Sequence, residues 1–484
     1  MKRILTRISA MILCVTLMCS ALPIRAAAGY AISGTCRLQT DSGAVYAVKT
    51  LDYGYDNNTY LSLRDIAIAL TNTEKAFSLD ITNNTVSLNL GADYVPVGTE
   101  NAPWGEEELP DSSLRRNECK VNGETVFYYT LIMLLPEGYY DCFMMAADLA
   151  MILDVNLTFP AEDTLQIFTQ ESFEISPVFL EQTGYFCGVN SVLAGDATTG
   201  EIYYQYQSDV SYPIASTSKL MTCLLAMDAI SAGHIAPTDL VTVSEAAQAL
   251  ADSADGVIAL EAGKQITVQE LLFGALLPSS NECALCLAES VSGSEEAFVR
   301  KMNEKALELG LSQAVFYNSH GLPSYTQDPI PAKRQNRMSA EDMFRLASHL
   351  LRVYPQITEI TSQKKAVIES LNLEIKNTNP LLHNLPAVTG LKTGTTNKAG
   401  ACLVTSLTAD DGTMEHDLVV VVLGAEDSVE RGRVAGLLAQ YALQTFYTGA
   451  EDSEAGQTPQ NLPTHGEAAV DWILKTAEKR QKER

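Results

Sequence analysis

A serine and a lysine three residues apart could form a nucleophile and base pair that needs no imidazole. Ser216 and Lys219 stand at the ends of the stretch 216–219, which follows Pro213 and leads directly into an apolar run. Residues three apart lie on one face of a helix, so the amine of Lys219 can reach the hydroxyl of Ser216. The pair therefore predicts covalent catalysis, with Ser216 as nucleophile and Lys219 as the group that takes its proton.

A lysine can act as this base only if its amine is neutral at working pH. That condition requires the pKa of Lys219 to lie about 3 units below the reference value of about 10.4, which corresponds to roughly 4 kcal/mol. Two features of the sequence could lower it, namely the electropositive start of a helix and a second lysine nearby. Lys392, within the segment 390–396, is the expected second lysine.

Other catalytic machinery has little support in the sequence. The chain has six histidines but no Gly-x-Ser-x-Gly elbow, no His-Glu-x-x-His and no glycine-rich phosphate loop. We expect His320 to be a structural residue that shapes a loop. Cys283 and Cys286 form a Cys-x-x-Cys pair, but without a second pair or a nearby histidine no zinc site is expected. No cofactor is predicted.

Two further motifs follow the Ser-x-x-Lys stretch in order. They are Ser279-Ser280-Asn281, between two predicted helices, and Lys392-Thr393-Gly394. With these three motifs the chain resembles the penicillin-recognising serine enzymes, and most closely the low-molecular-weight D-alanyl-D-alanine carboxypeptidases. The resemblance covers about 270 residues. It extends to matching text at 213–215, 318–322 and 399–403.

The resemblance implies a role for each motif residue. Ser216 would form the acyl-enzyme, Lys219 would accept its proton, and Ser279 would pass a proton toward the leaving amine. Asn281 would orient the substrate amide, and the backbone N–H groups of Ser216 and Thr395 would form the oxyanion hole. The third motif would face the terminal carboxylate of the substrate with a cation and hydroxyl donors. The implied substrate-binding residues are Lys392, Thr393, Gly394 and Thr395.

The implied activity is that of a serine-type D-Ala-D-Ala carboxypeptidase. Such an enzyme removes the terminal D-alanine from peptidoglycan stem peptides, and β-lactams acylate it as covalent inhibitors. A class A-like β-lactamase is the nearest alternative, but it would show Ser-Asp-Asn in the second motif and add a deacylating glutamate, whereas Ser280 stands here. A non-catalytic cell-wall-binding protein is the alternative of another class. Intact residues in all three motifs argue against it.

Local patterns predict the elements that position these motifs. A hairpin is expected between 187 and 204 with its turn at Gly200, and a helix from Ser216 to about Ile230. Thr267 and Glu270 form a capping box that begins another helix. The β-branched run 418–423 predicts a buried strand.

The chain also divides into segments of different character. Basic residues, an apolar stretch and three alanines near the N-terminus are typical of a secretion signal, so we expect export to the cell wall or the outer face of the cytoplasmic membrane. A polar stretch after residue 170 marks the main boundary. The predicted segments are a signal peptide (1–28), an accessory domain (29–170), the catalytic domain (178–448), a linker (449–466) and a short amphipathic C-terminal helix (467–484) that could associate with the membrane.

The accessory segment carries a repeated pattern. Leu63–Leu70 matches Ala146–Leu153 at a constant offset, and strand-like text follows each copy, which predicts a degenerate internal duplication. Residues 60–65, closed by 83–88, resemble the copper amine oxidase N-terminal-like domain of bacterial exported proteins. No copper site is expected, because residues 29–169 contain no histidine and only three scattered cysteines.

Composition limits the fold and the partners. A chain of 484 residues exceeds what one hydrophobic core usually serves, so more than one domain is expected. The formal net charge of −26 repels phosphate backbones, which argues against nucleic-acid binding. We therefore expect a multidomain α+β protein. The resemblance implies a β-lactamase/DD-peptidase-like catalytic domain, with an antiparallel sheet flanked by helices plus a helical subdomain, beside a small α+β N-terminal domain.

Overall fold

The computed structural model describes residues 30–53, 59–82, 85–104, 108–110, 118–126, 130–134, 140–161, 163–171, 173, 175, 188–325, 333–383 and 385–451. The predicted signal peptide, most of the predicted linker and the predicted C-terminal amphipathic helix lie outside these residues. The chain divides into two compact units. One is built from residues up to 123 with 127–149 and 159–169, and the other from 124–126, 150–158 and 170 onward.

The elements before residue 170 form two sheets and two short helices. The strands are β1 (Tyr30–Thr40), β2 (Val45–Tyr53), β3 (Thr59–Ser62), β4 (Phe77–Thr82), β5 (Thr85–Leu90), β6 (Glu108–Pro110), β7 (Glu118–Val121), β8 (Glu124–Val126), β9 (Thr130–Leu134), β10 (Tyr140–Met145), β11 (Asn156–Ala161) and β12 (Thr164–Phe168); the helices are α1 (Leu63–Ala69) and α2 (Ala146–Leu153). The larger sheet has the order β11-β12-β1-β2-β3-β10-β9, with β6 paired to β1, and the smaller has the order β4-β5-β7-β8. Both copies of the repeated text are helices followed by a strand, as the pattern predicts.

A buried ion cluster joins the larger of these sheets to α1. Lys49 Nζ is 2.8 Å from both carboxylate oxygens of Asp65 and 3.8 Å from Asp141 Oδ2. Asp141 Oδ2 also accepts a hydrogen bond of 2.8 Å from Ser62 Oγ. Burial raises the pKa of Asp141 to about 6, although Lys49 and Ser62 oppose that rise. The cluster therefore makes the stability of this region depend on pH.

The elements after residue 187 position the three motifs. The strands are β13 (Ser191–Asp196), β14 (Ile202–Tyr206), β15 (Tyr212–Pro213), β16 (Leu240–Thr242), β17 (Gln265–Thr267), β18 (Ser324–Tyr325), β19 (Lys333–Arg334), β20 (Arg337–Met338), β21 (Lys365–Ile368), β22 (Leu373–Lys376), β23 (Val388–Thr396), β24 (Gly400–Asp410) and β25 (Glu415–Ala425). The helices are α3 (Lys219–Ser231), α4 (Glu245–Ala251), α5 (Val268–Leu276), α6 (Asn281–Ser292), α7 (Glu295–Glu308), α8 (Ala340–Val353), α9 (Ile357–Thr361) and α10 (Ser428–Glu451), with 3-10 turns at Ala215–Ser218, Glu369–Leu371 and Pro380–His383.

A five-stranded antiparallel sheet forms one layer of this region, with the order β14-β13-β25-β24-β23. Residues 418–423 of β25 are fully buried, because α8 and α10 both pack against this strand. The buried strand and the hairpin of β13 and β14, with Gly200 at a φ of +84° in its turn, are as predicted. The expected mixed α+β fold with an antiparallel sheet flanked by helices is confirmed.

A helical layer packs beside that sheet and shares its hydrophobic core. Helix α3 contacts α5, α6, α7 and α8, and its residues Leu220–Ala226 are almost entirely buried. The predicted capping box at the start of α5 is present, with Thr267 and Glu270 bonding each other's backbone N–H. Helix α10 continues to Glu451 and so includes the first three residues of the predicted linker.

The helix predicted from Ser216 begins differently in the structure. Ala215–Ser218 form a 3-10 turn, and the α-helix starts at Lys219. The hydroxyls of Thr217 and Ser218 donate to the carbonyls of Ile214 and Ala215 at 2.6 and 2.8 Å. Such side-chain bonds to the backbone three residues earlier compete with the α-helical pattern and explain the tighter turn.

Candidate active site

Lys219 lies in direct hydrogen-bond contact with Ser216. Its Nζ is 2.9 Å from Ser216 Oγ, 2.8 Å from Asn281 Oδ1 and 2.8 Å from the carbonyl oxygen of His320. The amide oxygen and the carbonyl oxygen can only accept, so they take the two N–H groups of a neutral amine. The remaining lone pair then accepts the hydroxyl proton of Ser216. The arrangement therefore suits a neutral lysine that acts as a base.

Burial is the main reason why Lys219 can be neutral. Its side chain is 0% exposed, and desolvation lowers its pKa from the ordinary value to about 7, against the opposing charge of Glu282. A neutral Lys219 requires a pKa lowered by about this much. Its largest cause is burial, whereas the sequence suggested the start of a helix and a second lysine. Lys392 is also buried, and its own pKa is held well below the usual range by burial first and then by Lys219.

The backbone before the nucleophile is held in an unusual conformation. Ala215 has a φ of +47°, a left-handed value that residues with a side chain rarely adopt. Thr222, one turn into α3, donates to Ser319 O at 2.6 Å and so joins this helix to the loop at 318–322. The His320 carbonyl of that loop is the one that binds Lys219. Ser216 stays partly exposed, so a substrate can reach its hydroxyl.

The second motif lies between α5 and α6. Ser279 has a φ of +71°, and its partly exposed hydroxyl forms no hydrogen bond with a described residue. Ser280 caps α6 by accepting from Cys283 N at 3.0 Å. Asn281, the first residue of α6, contacts Lys219 through Oδ1 and donates from Nδ2 to Asp255 O at 2.8 Å. The motif thus supplies one hydroxyl to the open site and one fixed amide.

The third motif lies on β23, an edge strand of the five-stranded sheet. A Cβ added at Gly394 would lie 2.8 Å from Ser216 N and 2.9 Å from Thr217 N, so only glycine permits this approach to the nucleophile. Thr395, the next residue, is exposed. Lys392 Nζ is buried and donates to Thr393 O at 2.9 Å, whereas Thr393 Oγ1 is 2.5 Å from Thr378 Oγ1. The structure thus buries the Lys392 side chain on the face of β23 from which Gly394 approaches Ser216.

Two residues that the motifs did not indicate also lie at the site. Arg431, on α10, has Nη1 3.3 Å from Thr395 Oγ1, and its buried Nε has no partner among the described atoms. No local signal in the sequence could have found it, because it is 36 residues from Thr395. Glu282 is fully buried directly after Asn281. A charged residue at the start of an otherwise apolar helical sequence could have indicated Glu282 as a site residue.

His320 has the structural role that the sequence suggests. Its ring is largely buried, Nδ1 accepts from Leu322 N at 3.2 Å, and burial followed by the charge of Lys219 lowers its pKa to about 3. The ring is therefore neutral near pH 7, and it is the backbone of this residue that serves Lys219.

The cysteines of the described part of the chain lie mostly in its interior. Six of its seven cysteines are buried and Cys36 is partly exposed, whereas Cys187 lies outside it. Three or more histidine, cysteine, aspartate or glutamate side chains are nowhere grouped around a metal-sized space within the described ranges. None of the helices described there is long and apolar enough to cross a bilayer.

Comparison with known proteins gives a consistent set of matches. Residues 187–427 match the family model described as D-alanyl-D-alanine carboxypeptidase. The D-alanyl-D-alanine carboxypeptidase DacF of Bacillus subtilis is 37% identical over 254 residues, which cover 52% of this chain and 61% of that protein. The carboxypeptidase DacC of Escherichia coli is 32% identical over 256 residues, covering 52% of this chain and 60% of that protein.

A solved structure of a peptidoglycan synthesis regulatory factor (PBP3) from Streptococcus pneumoniae is 30% identical to the matched region. It covers 53% of this chain and 72% of that one, with a TM-score of 0.49. The chain spans about 60% of the length of the two curated relatives named above.

Proposed function

From the match of residues 187–427 to the D-alanyl-D-alanine carboxypeptidase family, we propose that this chain is a serine-type D-Ala-D-Ala carboxypeptidase. The observation that carries the proposal is the set of three hydrogen bonds around Lys219 Nζ, to Ser216, Asn281 and His320 O. A buried neutral amine in contact with a serine hydroxyl is an activated nucleophile pair. Its substrates are peptidoglycan stem peptides, and β-lactams are covalent inhibitors.

The reaction follows from these contacts. Ser216 Oγ bonds to the carbonyl carbon of the penultimate D-alanine while its proton passes to Lys219 Nζ. The C–N bond then breaks, and the amine of the departing D-alanine takes that proton through the Ser279 hydroxyl. Water adds to the ester and gives a proton to Lys219, and Ser216 regains a proton when its bond to the acyl carbon breaks. The N–H groups of Ser216 and Thr395 stabilise the oxyanion.

Substrate recognition falls to the exposed side of β23. An edge strand offers backbone groups with which an extended peptide can pair. The Thr395 hydroxyl and the Arg431 guanidinium, 3.3 Å apart, are suited to bind the terminal carboxylate. Lys392 contributes its field from its buried position next to Thr393, and Gly394 lets β23 approach Ser216 closely. Asn281 holds both the base and the substrate amide.

The geometry favours a carboxypeptidase over a class A-like β-lactamase. Such an enzyme uses a glutamate to direct water at the acyl-enzyme, so a carboxylate should face the open site. Glu282, buried beside Asn281, has no exposed surface and binds backbone N–H groups with Oε1. It is therefore shielded from bulk water. A non-catalytic cell-wall-binding protein would have no use for the buried base.

The remaining parts of the chain complete the proposal. Residues 1–28 direct export, so the enzyme acts outside the cytoplasm at the cell wall or the outer face of the membrane. Residues 29–170 form an accessory domain similar to the copper amine oxidase N-terminal-like module, without copper. Residues 178–448 form the catalytic domain, and 449–466 link it to an amphipathic segment at 467–484 that supports peripheral membrane or cell-wall association.

Covalent labelling by penicillin tests the central claim. The purified chain should gain the mass of one penicillin, mapped to Ser216, and should release D-alanine from a peptide ending in D-Ala-D-Ala. Ser216→Ala should abolish both, because it removes the nucleophile. Ser218→Ala is the matched control. It removes a hydroxyl from the same turn, and that hydroxyl bonds only Ala215 O. An unmodified wild-type chain, or an adduct on another residue, would overturn the proposal.

A further inference from the structure

A buried carboxylate lies one residue from the asparagine that binds Lys219. Glu282 is in the first turn of α6, directly after Asn281, and is 0% exposed. Its Oε1 accepts from the backbone N–H groups of Val257, at 3.0 Å, and Ile258. Its Oε2 is buried and has no hydrogen-bond partner among the described atoms. One oxygen of this carboxylate is therefore held in place, and the other is left without a donor.

A buried carboxylate is strongly disfavoured unless hydrogen bonds or a nearby cation compensate it. The two backbone N–H groups compensate it only in part. Lys219 is the cation on which its field acts, since Glu282 is the largest influence that raises the pKa of Lys219 against burial. The three hydrogen bonds of Lys219 go to other residues, so Glu282 acts on it through space.

We propose that Glu282 is a positioning residue for acylation, whose carboxylate stabilises the ammonium that forms on Lys219 when Ser216 gives up its proton. The inference rests on the proposed function and adds a third group to the nucleophile and base. Glu282 exchanges no proton itself, and the proton moves only from Ser216 Oγ to Lys219 Nζ. A buried carboxylate that stabilises a protonated base plays the same part in serine-histidine-aspartate sites.

Among the titratable groups around Lys219, Glu282 is the carboxylate that opposes the effect of burial on the Lys219 pKa. The titratable groups that face Lys219 are Glu282 and Cys283 on α6, Cys223 on α3, Lys392 on β23 and the His320 ring in the loop at 318–322. Burial raises the pKa of both thiols and lowers the pKa of His320 to about 3, so these groups are neutral near pH 7. Burial first, and then the charges of Lys219 and Arg431, lower the pKa of Lys392. Glu282 is thus the carboxylate of this set.

Removing the charge of Glu282 should change the pH dependence of acylation. Without the carboxylate, burial of Lys219 is less opposed and its pKa falls below about 7. The rise of the acylation rate with pH should then occur at lower pH, by about one unit for charges separated by several ångströms. The rate on the plateau should fall about tenfold or more, because the developing ammonium loses its stabilising partner.

The test is the second-order rate constant for acylation by a fluorescent penicillin, measured from about pH 5 to pH 9 on the full chain. Glu282→Gln keeps an acceptor for Val257 and Ile258 but removes the charge, whereas Glu282→Asp keeps the charge. Glu289→Gln is the matched control on the same helix, where Glu289 accepts from Ser244 Oγ at 3.1 Å. We expect a lowered midpoint in Glu282→Gln, and the wild-type midpoint in Glu282→Asp and Glu289→Gln.

Each outcome decides between charge and simple structural support. A Glu282→Gln midpoint equal to that of the wild type, with the rate reduced equally at all pH values, would overturn the inference and leave Glu282 as an anchor for the 257–258 backbone. If Glu282→Gln does not fold, the salt dependence of the wild-type midpoint for acylation is measured instead. A buried partner of Lys219 predicts that this midpoint changes by less than about 0.3 pH units between low salt and 1 M salt. A larger change would assign the pKa of Lys219 to exposed charges and contradict the inference. Absence of any wild-type adduct would instead contradict the proposed function.

Discussion

The close approach of Gly394 to the nucleophile can be tested by adding one methyl group. In Gly394→Ala the new Cβ would lie 2.8 Å from Ser216 N, 2.9 Å from Thr217 N and 3.1 Å from Ala215 Cβ. Backbone atoms cannot rotate away as side chains do, so β23 and the 3-10 turn at 215–218 must separate by about 0.6 Å to reach ordinary contact. Overpacking of this kind costs about 1–3 kcal/mol of stability.

The same displacement should slow acylation more than it weakens the fold. The oxyanion donors on Ser216 and Thr395 belong to the two elements that Gly394→Ala drives apart. A misplacement of about 1 Å can cost about 10²-fold in rate, so we expect a loss of about 10- to 100-fold in the acylation rate constant. Stopped-flow labelling with a fluorescent penicillin measures the rate, and thermal unfolding measures the stability.

Gly200→Ala is the control, because Gly200 lies in the β13–β14 turn at a φ of +84° with nothing within 4 Å of an added Cβ. It should lose about 1 kcal/mol of stability through backbone strain and keep the wild-type acylation rate. If Gly394→Ala is acylated as fast as the wild type, β23 is not what positions the nucleophile, and the argument from close approach is refuted.

Two further predictions concern stability. The pKa of Asp141 is raised to about 6 in the folded chain, so the folded state binds more protons than the unfolded state between about pH 4 and pH 6, and this group's contribution to stability falls as the pH rises through that window. Asp141→Asn should therefore gain in stability relative to the wild type between pH 4.5 and pH 7.5, by up to about 3 kcal/mol, in calorimetric unfolding; a difference that does not change with pH would contradict this. Thr267→Ala removes the reciprocal cap at the start of α5 and should cost about 1 kcal/mol in denaturant unfolding, and an unchanged midpoint would show that the Glu270 bonds to Ser370 hold the helix end alone.

The contact between Ser216 and Lys219 could be predicted from spacing even though the local helix type could not. A 3-10 turn also brings residues three apart onto one face, so the expected contact survives the change from an α-helical turn. The cap at Thr267 and the strand at 418–423 are local or strongly patterned signals. For these features short-range chemistry and the packed fold agree.

Features that depend on contacts between distant parts of the chain could not be predicted from the motifs. The pKa of Lys219 is set mainly by burial, which requires α6 and the loop at 318–322 to close over it. Arg431 reaches Thr395 only because α10 packs against the sheet. Lys392 is buried in the folded chain, and a three-residue motif does not state how deeply the sheet buries each of its residues. The missing information is tertiary in each case.

Ala215 and Ser279 adopt left-handed backbone conformations that lower the stability of the fold, and at Ser279 the side chain is needed for activity. Glycine adopts such φ values without strain, so at both positions a selection for thermal stability alone should favour glycine, by about 1 kcal/mol or less. At position 215 that change would leave every proposed reacting group in place. At position 279 it would remove the one hydroxyl that the second motif supplies to the open site. A library screened for heat resistance should therefore accumulate variants at Ser279 that survive heating but no longer turn over substrate. A serine at this position lowers stability but supplies a hydroxyl to the reaction.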